Sequence, residues 1–208
     1  WGVDADAAVF RDFVLRYVAA NQRQASPKFL FGESYGTTRS AVLANALEIA
    51  GIDVAGVVLQ SSILNYNTNC GVVVAFNCEG YLPSYAATGA WYGLDSPNPA
   101  PADVPAFLAG VRTFAATGYA PAVETNHATG VPAPGGVLDT LVADTGLARS
   151  NWFAQLNMHP GPFNVLLIPG TVLGFYDTRV SAPAGSPLAA GGDPSSTFYN
   201  GGFASALP

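Results

Sequence analysis

Positive charge is scarce in this sequence. Lys28 is the single lysine, seven arginines are scattered one at a time, and the formal net charge is −6. No basic stripe exists to neutralise phosphates, which argues against nucleic acid as a partner. Long apolar runs are missing too. No stretch of about 18 uncharged apolar residues appears, so nothing reads as a membrane span. The opening residues, WGVDADAAVF, have neither the basic n-region nor the apolar h-region of a signal peptide. Metal-ligating residues are few: two histidines, and two cysteines in NCGVVVAFNC. That spacing suits neither a CxxC redox motif nor a zinc site, so no metal and no cofactor is expected. It leaves a short-loop disulfide between Cys70 and Cys78, the preferred reading, or two free thiols. A disulfide would point to an oxidising, extracytoplasmic compartment.

Apolar residues are plentiful, half of the chain, enough for a sizeable core. Val9, Phe10, Phe13, Val14, Tyr17 and Val18 recur at helical spacing over residues 6–20, with Asp6 placed to cap the start. KFLFGES and VAGVVLQSS read as buried parallel strands. Between them TTRSAVLANALEIAG presents Val42, Leu43, Ala46, Leu47 and Ile49 on one face and stops at Gly51. The order helix, strand, helix, strand sets the fold class as α/β, with a core unit over 1–64. Residues 65–208 read as a mostly helical insertion. Pro97, Pro99, Pro101 and Pro105 interrupt it, a helix is expected from Val104 to about Ala116 and another over 137–146, and the C-terminal end looks turn-rich.

Gly32-Glu33-Ser34-Tyr35-Gly36 fits G-x-S-x-G, the nucleophile elbow, in which a serine sits on a strained strand-to-helix turn. An apolar strand before it and a patterned helix after it are the required context; the bland alternative is a Gly-rich turn with a solvated serine. The segment SPKFLFGESYGTTR resembles the nucleophile region of the serine carboxypeptidases, α/β-hydrolases, and of their bacterial branch in particular. GVVLQSSILNYNTN, LPSYAATGAWYG and VLGFYDTRVSAP…DPSSTFY extend the resemblance over nearly the whole chain. It implies a partial α/β-hydrolase core followed by a helical cap, and hydrolysis of C-terminal peptide bonds through an acyl-serine. Ser34 would be the nucleophile, the Tyr35 backbone N–H one oxyanion-hole donor, and Glu33 the group that holds the carboxylate of a peptide substrate with a free C-terminus.

Other parts of such a centre are not evident. The hydrolase order is nucleophile, acid, histidine. His127 in ETNHATG and His159 in NMHPGPF both read as surface-loop residues, and the resemblance places Asp177 of YDTRV in the cap rather than in the acid loop. No glycine-rich oxyanion loop precedes Ser34. The chain is therefore expected to be an internal piece of a longer protein, whose remainder completes sheet and triad. Two alternatives stay open: a self-contained serine esterase using Ser34 with His159 and Asp139 or Asp144, and a non-catalytic binding domain.

Overall fold

The computed structural model describes residues 2–62, 70, 78–94 and 102–206. The boundary expected at residues 64 and 65, and Pro97, Pro99 and Pro101, lie outside the described residues. The fold is mixed α/β, and the chain divides into a unit of residues 1–66 and a unit of residues 67–208.

In the first unit, α1 (Val3–Ala20) leads to β1 (Phe29–Glu33), α2 (Tyr35–Ile49) and β2 (Gly56–Gln60). The strands pair in parallel, with Phe29 opposite Gly56 and Glu33 opposite Gln60. Parallel neighbours need a crossover, and α2 supplies it. Its C-terminus closes as a Schellman turn: Gly51 has φ 77°, its N–H donates to the Glu48 carbonyl, and the Ile52 N–H donates to the Leu47 carbonyl at 2.9 Å. Ala7, Leu43 and Leu47 form a small core, against which Val14, Leu30, Val42, Ile52 and Val54 pack.

Two expectations fail here for the same reason. The strands are parallel but not buried: Phe29, Phe31, Val58 and Leu59 are exposed, Phe29 at 69%. On α1, the stripe read from the sequence stays largely in solvent, with Val9 and Phe13 both 62% exposed, and on α2 Ile49 is 79% exposed. Two helices and two strands cover only one another's adjoining sides. A parallel sheet normally has both faces covered. Among the described residues of this unit, none forms a layer over the face of β1 that carries Phe29 and Phe31.

In the second unit a 3₁₀ turn at Glu79–Tyr81 leads into α3 (Leu82–Trp91), followed by α4 (Val104–Phe114), α5 (Ala120–Thr129), α6 (Gly135–Thr145), α7 (Arg149–Ala154) and α8 (Pro160–Leu166). The expected helix at 104–116 continues further than its pattern suggests. A π-helical segment at Ala115–Tyr119 joins α4 to α5, and Pro121 follows it as the second residue of α5. Val111, Ala115, Tyr119 and Val123 all reach the core across this join. Tyr119, Trp152, Phe163, Leu141 and Met158 are fully buried. Trp152 meets Tyr119 edge-to-face at 5.9 Å and donates to Thr145 Oγ1, while the Tyr119 hydroxyl donates to the Leu156 carbonyl at 2.7 Å. Burial raises the phenol pKa of Tyr85 and of Tyr119, so both stay neutral donors.

A short antiparallel hairpin, β3 (Thr171–Leu173) with β4 (Ser181–Pro183), precedes α9 (Pro194–Ala206). The last helix overturns the turn-rich expectation. Asp193 accepts from the Ser195 N–H at 3.0 Å and from the hydroxyls of Ser195 and Ser196, a cap that compensates for the poor helix formers behind it. Cys70 and Cys78 are joined in a disulfide, Cα atoms 5.0 Å apart.

The β1–α2 junction yields a stability test. A Cβ on Gly32 would lie 2.1 Å from the Gly36 carbonyl oxygen and 2.6 Å from Ser40 Oγ, whereas a Cβ on Gly36 meets nothing within 4 Å. Gly32→Ala should destabilise the first unit by roughly 1–3 kcal/mol or more. Gly36→Ala, inside a helix, should be neutral or stabilising by up to about 1 kcal/mol. Urea unfolding followed by far-UV circular dichroism measures both, and similar losses for the two variants would contradict the packing described.

Candidate functional site

Ser34 occupies the single residue between β1 and α2. Its backbone sits at φ 53° and ψ −120°, outside the regions open to L-residues without strain. Such a conformation costs about 1–3 kcal/mol and persists only where its surroundings enforce it. They do so from both sides. The Ser34 N–H continues the strand ladder, donating to the Gln60 carbonyl at 3.1 Å, while the Ser34 carbonyl already accepts from the Thr37 N–H at 3.0 Å and the Thr37 hydroxyl at 2.7 Å. One residue must change from strand to helix. Because Gly32 lies directly against Gly36 and Ser40, the helix starts with no room for a wider turn.

The turn presents three sequence-expected residues together. Ser34 is half-buried, and Glu33 and Tyr35 on either side are exposed. Tyr35 opens α2, where a helix concentrates partial positive charge and first-turn N–H groups without intrahelical acceptors. An anion forming at Ser34 would develop at that end.

Asp6 has a different role from the one read in the sequence. α1 begins at Val3 with Gly2 as its N-cap and no side-chain cap bond. Asp6 faces α2 instead: its carboxylate accepts from Arg39 Nε at 2.6 Å and from the Tyr35 hydroxyl at 2.8 Å. The Arg39 guanidinium also lies over the rings of Phe10, at 4.5 Å, and Tyr35, at 5.1 Å. This clamp holds the residue after Ser34 onto α1. The pairing with Arg39, then the Tyr35 hydroxyl, lowers the Asp6 pKa from its ordinary value. No sequence signal marked it, because the partners are 33 and 29 positions apart. Ser61 was missed in the same way. It follows β2 as Ser34 follows β1, and it too has φ 53°.

The remaining candidates lie in the other unit. His127 is not in a loop but in the last turn of α5, and His159 precedes α8. The His159 imidazole lies within 4.8 Å of both disulfide sulfurs. Those sulfurs are bonded to each other, and thiolates rather than disulfides hold metals. Asp139 pairs with Arg149. Asp177 is held by Arg179 through two side-chain bonds, at 2.9 and 2.8 Å, with a further bond from Tyr199, and its pKa falls chiefly because of Arg179. The first unit contains no histidine at all.

Compared with protein-family models, with curated proteins and with solved structures, the chain matches none. No described helix is long and apolar enough to cross a membrane.

Because the Asp6 pKa is lower folded than unfolded, its contribution to stability is complete above the unfolded value, near pH 4, and is lost as pH falls through the folded one. Asp6→Asn should therefore lower Tm at neutral pH, and the gap to wild type should close as the pH is taken below about 4. A gap that persists undiminished in acid would show that the pairing with Arg39 is not its source.

Proposed function

We propose that Ser34 is the nucleophile of an acyl-transfer centre of the α/β-hydrolase kind, in a carboxypeptidase-like protein that removes C-terminal residues from peptides. One observation carries this reading: the strained Ser34 backbone at a strand-to-helix turn, wedged in place by Gly32. Strained backbone of this kind clusters at active sites, and here it presents a hydroxyl beside a helix N-terminus.

The chemistry follows from the parts. Ser34 Oγ attacks the scissile carbonyl carbon while a base takes its proton; the oxyanion forms near the first turn of α2, with the Tyr35 N–H as one donor; the C–N bond breaks, and the amine leaves with the transferred proton. Water then releases the acyl group from Ser34. The first unit contains no histidine, so a histidine base would have to come from outside residues 1–66. Glu33, beside the nucleophile, binds the substrate's terminal carboxylate by sharing a proton with it, which favours acidic conditions.

A serine-directed fluorophosphonate tests the nucleophile. The intact protein should carry one adduct on tryptic peptide 29–39, and Ser34→Ala should carry none. Adducts that survive the substitution, or none on the wild type, would remove the enzymatic reading. In that event the exposed Val9, Phe13 and Tyr17 on α1 favour a second reading, a non-catalytic association domain.

For Glu33, kcat/KM is compared between a peptide acid and the matching peptide amide across about pH 4 to 8. Glu33→Gln keeps hydrogen bonding but cannot ionise. It should flatten the fall of activity with rising pH for the acid and leave the amide nearly unchanged. Equal effects on both substrates would make Glu33 structural and reduce the assignment to a serine hydrolase without carboxylate selectivity.

A further inference from the structure

The second unit contains a pocket of about 440 Å³, between α3, the start of α8 and the turn that joins β3 to β4. Its volume falls in the range of small-molecule sites. Three features define what it can hold.

The first is its aromatic wall. Tyr81 stacks on Tyr85 at 6.2 Å, and Tyr85 on the buried Phe163 at 4.0 Å, so the inner rings are fixed. Trp91 and Tyr176 line the mouth and are 61% and 83% exposed. Large rings left in solvent around a concavity offer a flat ligand two faces to contact.

The second is the neutrality of the mouth. Arg179 and Asp177 are its charged groups, and they neutralise each other through a bidentate pair. Tyr199 also donates to Asp177, and the Arg179 guanidinium rests over the Trp91 ring at 5.7 Å. The pair carries no net charge, so the mouth favours an uncharged ligand over an ionic one.

The third is an open acceptor. Asn164 lines the pocket and is only 7% exposed. Its Nδ2 donates to the Gly174 carbonyl at 3.4 Å, which fixes the amide's orientation because a carbonyl can only accept. Among the described residues no donor reaches its Oδ1. The nearby hydroxyls are already engaged: Thr88 donates to the Ser84 carbonyl and pairs with Thr178, and Tyr85 donates to Met158. Oδ1 is not among the enclosed unpartnered atoms of the described residues, so it opens to the pocket and can accept from a ligand donor.

We infer that this pocket binds a neutral aromatic ring carrying an N–H or O–H group, such as an indole or a phenol, with the ring against Trp91 and the inner tyrosines and its donor on Asn164 Oδ1. This site is independent of the chemistry proposed for Ser34. The phenol and indole side chains of tyrosine and tryptophan residues in peptides have this character, and phenylalanine lacks the donor.

Isothermal titration of the intact protein with indole and with 1-methylindole tests the inference, since methylation removes the donor and keeps the ring. Wild type should bind indole saturably at one site and 1-methylindole at least about tenfold more weakly. Asn164→Leu should bring the two affinities together by weakening indole alone. Trp91→Ala, at an exposed position where folding is not at risk, should weaken both. Absence of saturable indole binding, equal binding of both probes by wild type, or discrimination that survives in Asn164→Leu would each overturn the inference. If Asn164→Leu does not fold, the wild-type comparison of the two probes decides alone.

Discussion

Steric contact at Gly32 governs the first unit. A strand can run straight into a helix only if the two backbones may touch, and here a single hydrogen in place of a methyl lets β1 pass against Gly36 and Ser40. Everything notable nearby follows from that contact. It leaves Ser34 alone to reverse the chain, which drives its backbone to φ 53° and ψ −120°. The β2 ladder and Thr37 then hold the strained residue by its N–H and its carbonyl, and the Asp6–Arg39–Tyr35 clamp ties the beginning of α2 to α1. The strain at this turn is thus held by neighbours on three elements.

The second unit solves a comparable problem with hydrogen bonds. The turn after β3 carries three aromatic or charged side chains that leave the surface, Phe175, Tyr176 and Arg179, and it needs an anchor to keep one shape. Asp193 and Ser195 provide it. The Asp193 carboxylate accepts from the Phe175 N–H, and the buried Ser195 hydroxyl accepts from the N–H groups of Tyr176 and Asp177. Gly174 makes the approach possible, because a Cβ there would lie 2.6 Å from that of Ser195. The cap of α9 therefore also sets the wall of the aromatic pocket. Two segments distant in sequence, GFYDTR and DPSS, form one polar knot.

Much of the local structure was legible in the sequence. The G-x-S-x-G spacing between an apolar run and a helical pattern located the β1–α2 turn, and Gly51 marked the end of α2, because both signals depend on residues a few positions apart. Burial was not legible. The periodicity of Val9, Phe13 and Tyr17 says that one side of α1 is apolar, but not whether anything covers it. The role of Asp6 was misread since its local position suits a cap, while its carboxylate instead pairs with the opposite charge of Arg39 through both oxygens and also accepts from Tyr35. The end of the chain was misjudged by its composition: glycines and serines after Pro194 look like turns until Asp193 is seen to cap them. Asn164 could not have been singled out, because what distinguishes it is its place in a pocket assembled from α3, α8 and the β3–β4 turn.

The π segment at Ala115–Tyr119 bears on how this protein tolerates changes in length. A π turn closes its hydrogen-bonded ring over five residues instead of four, so the helix running from Val104 to Thr129 holds one residue more than its path requires. Losing one exposed residue from the segment, Ala116 or Thr117, would let the turn relax to ordinary α-helix while Val111 before it and Tyr119 and Val123 after it keep facing the same core. The same loss one turn earlier or later would rotate every following side chain by about 100°. The seam is a place where a shorter relative could differ without repacking its interior.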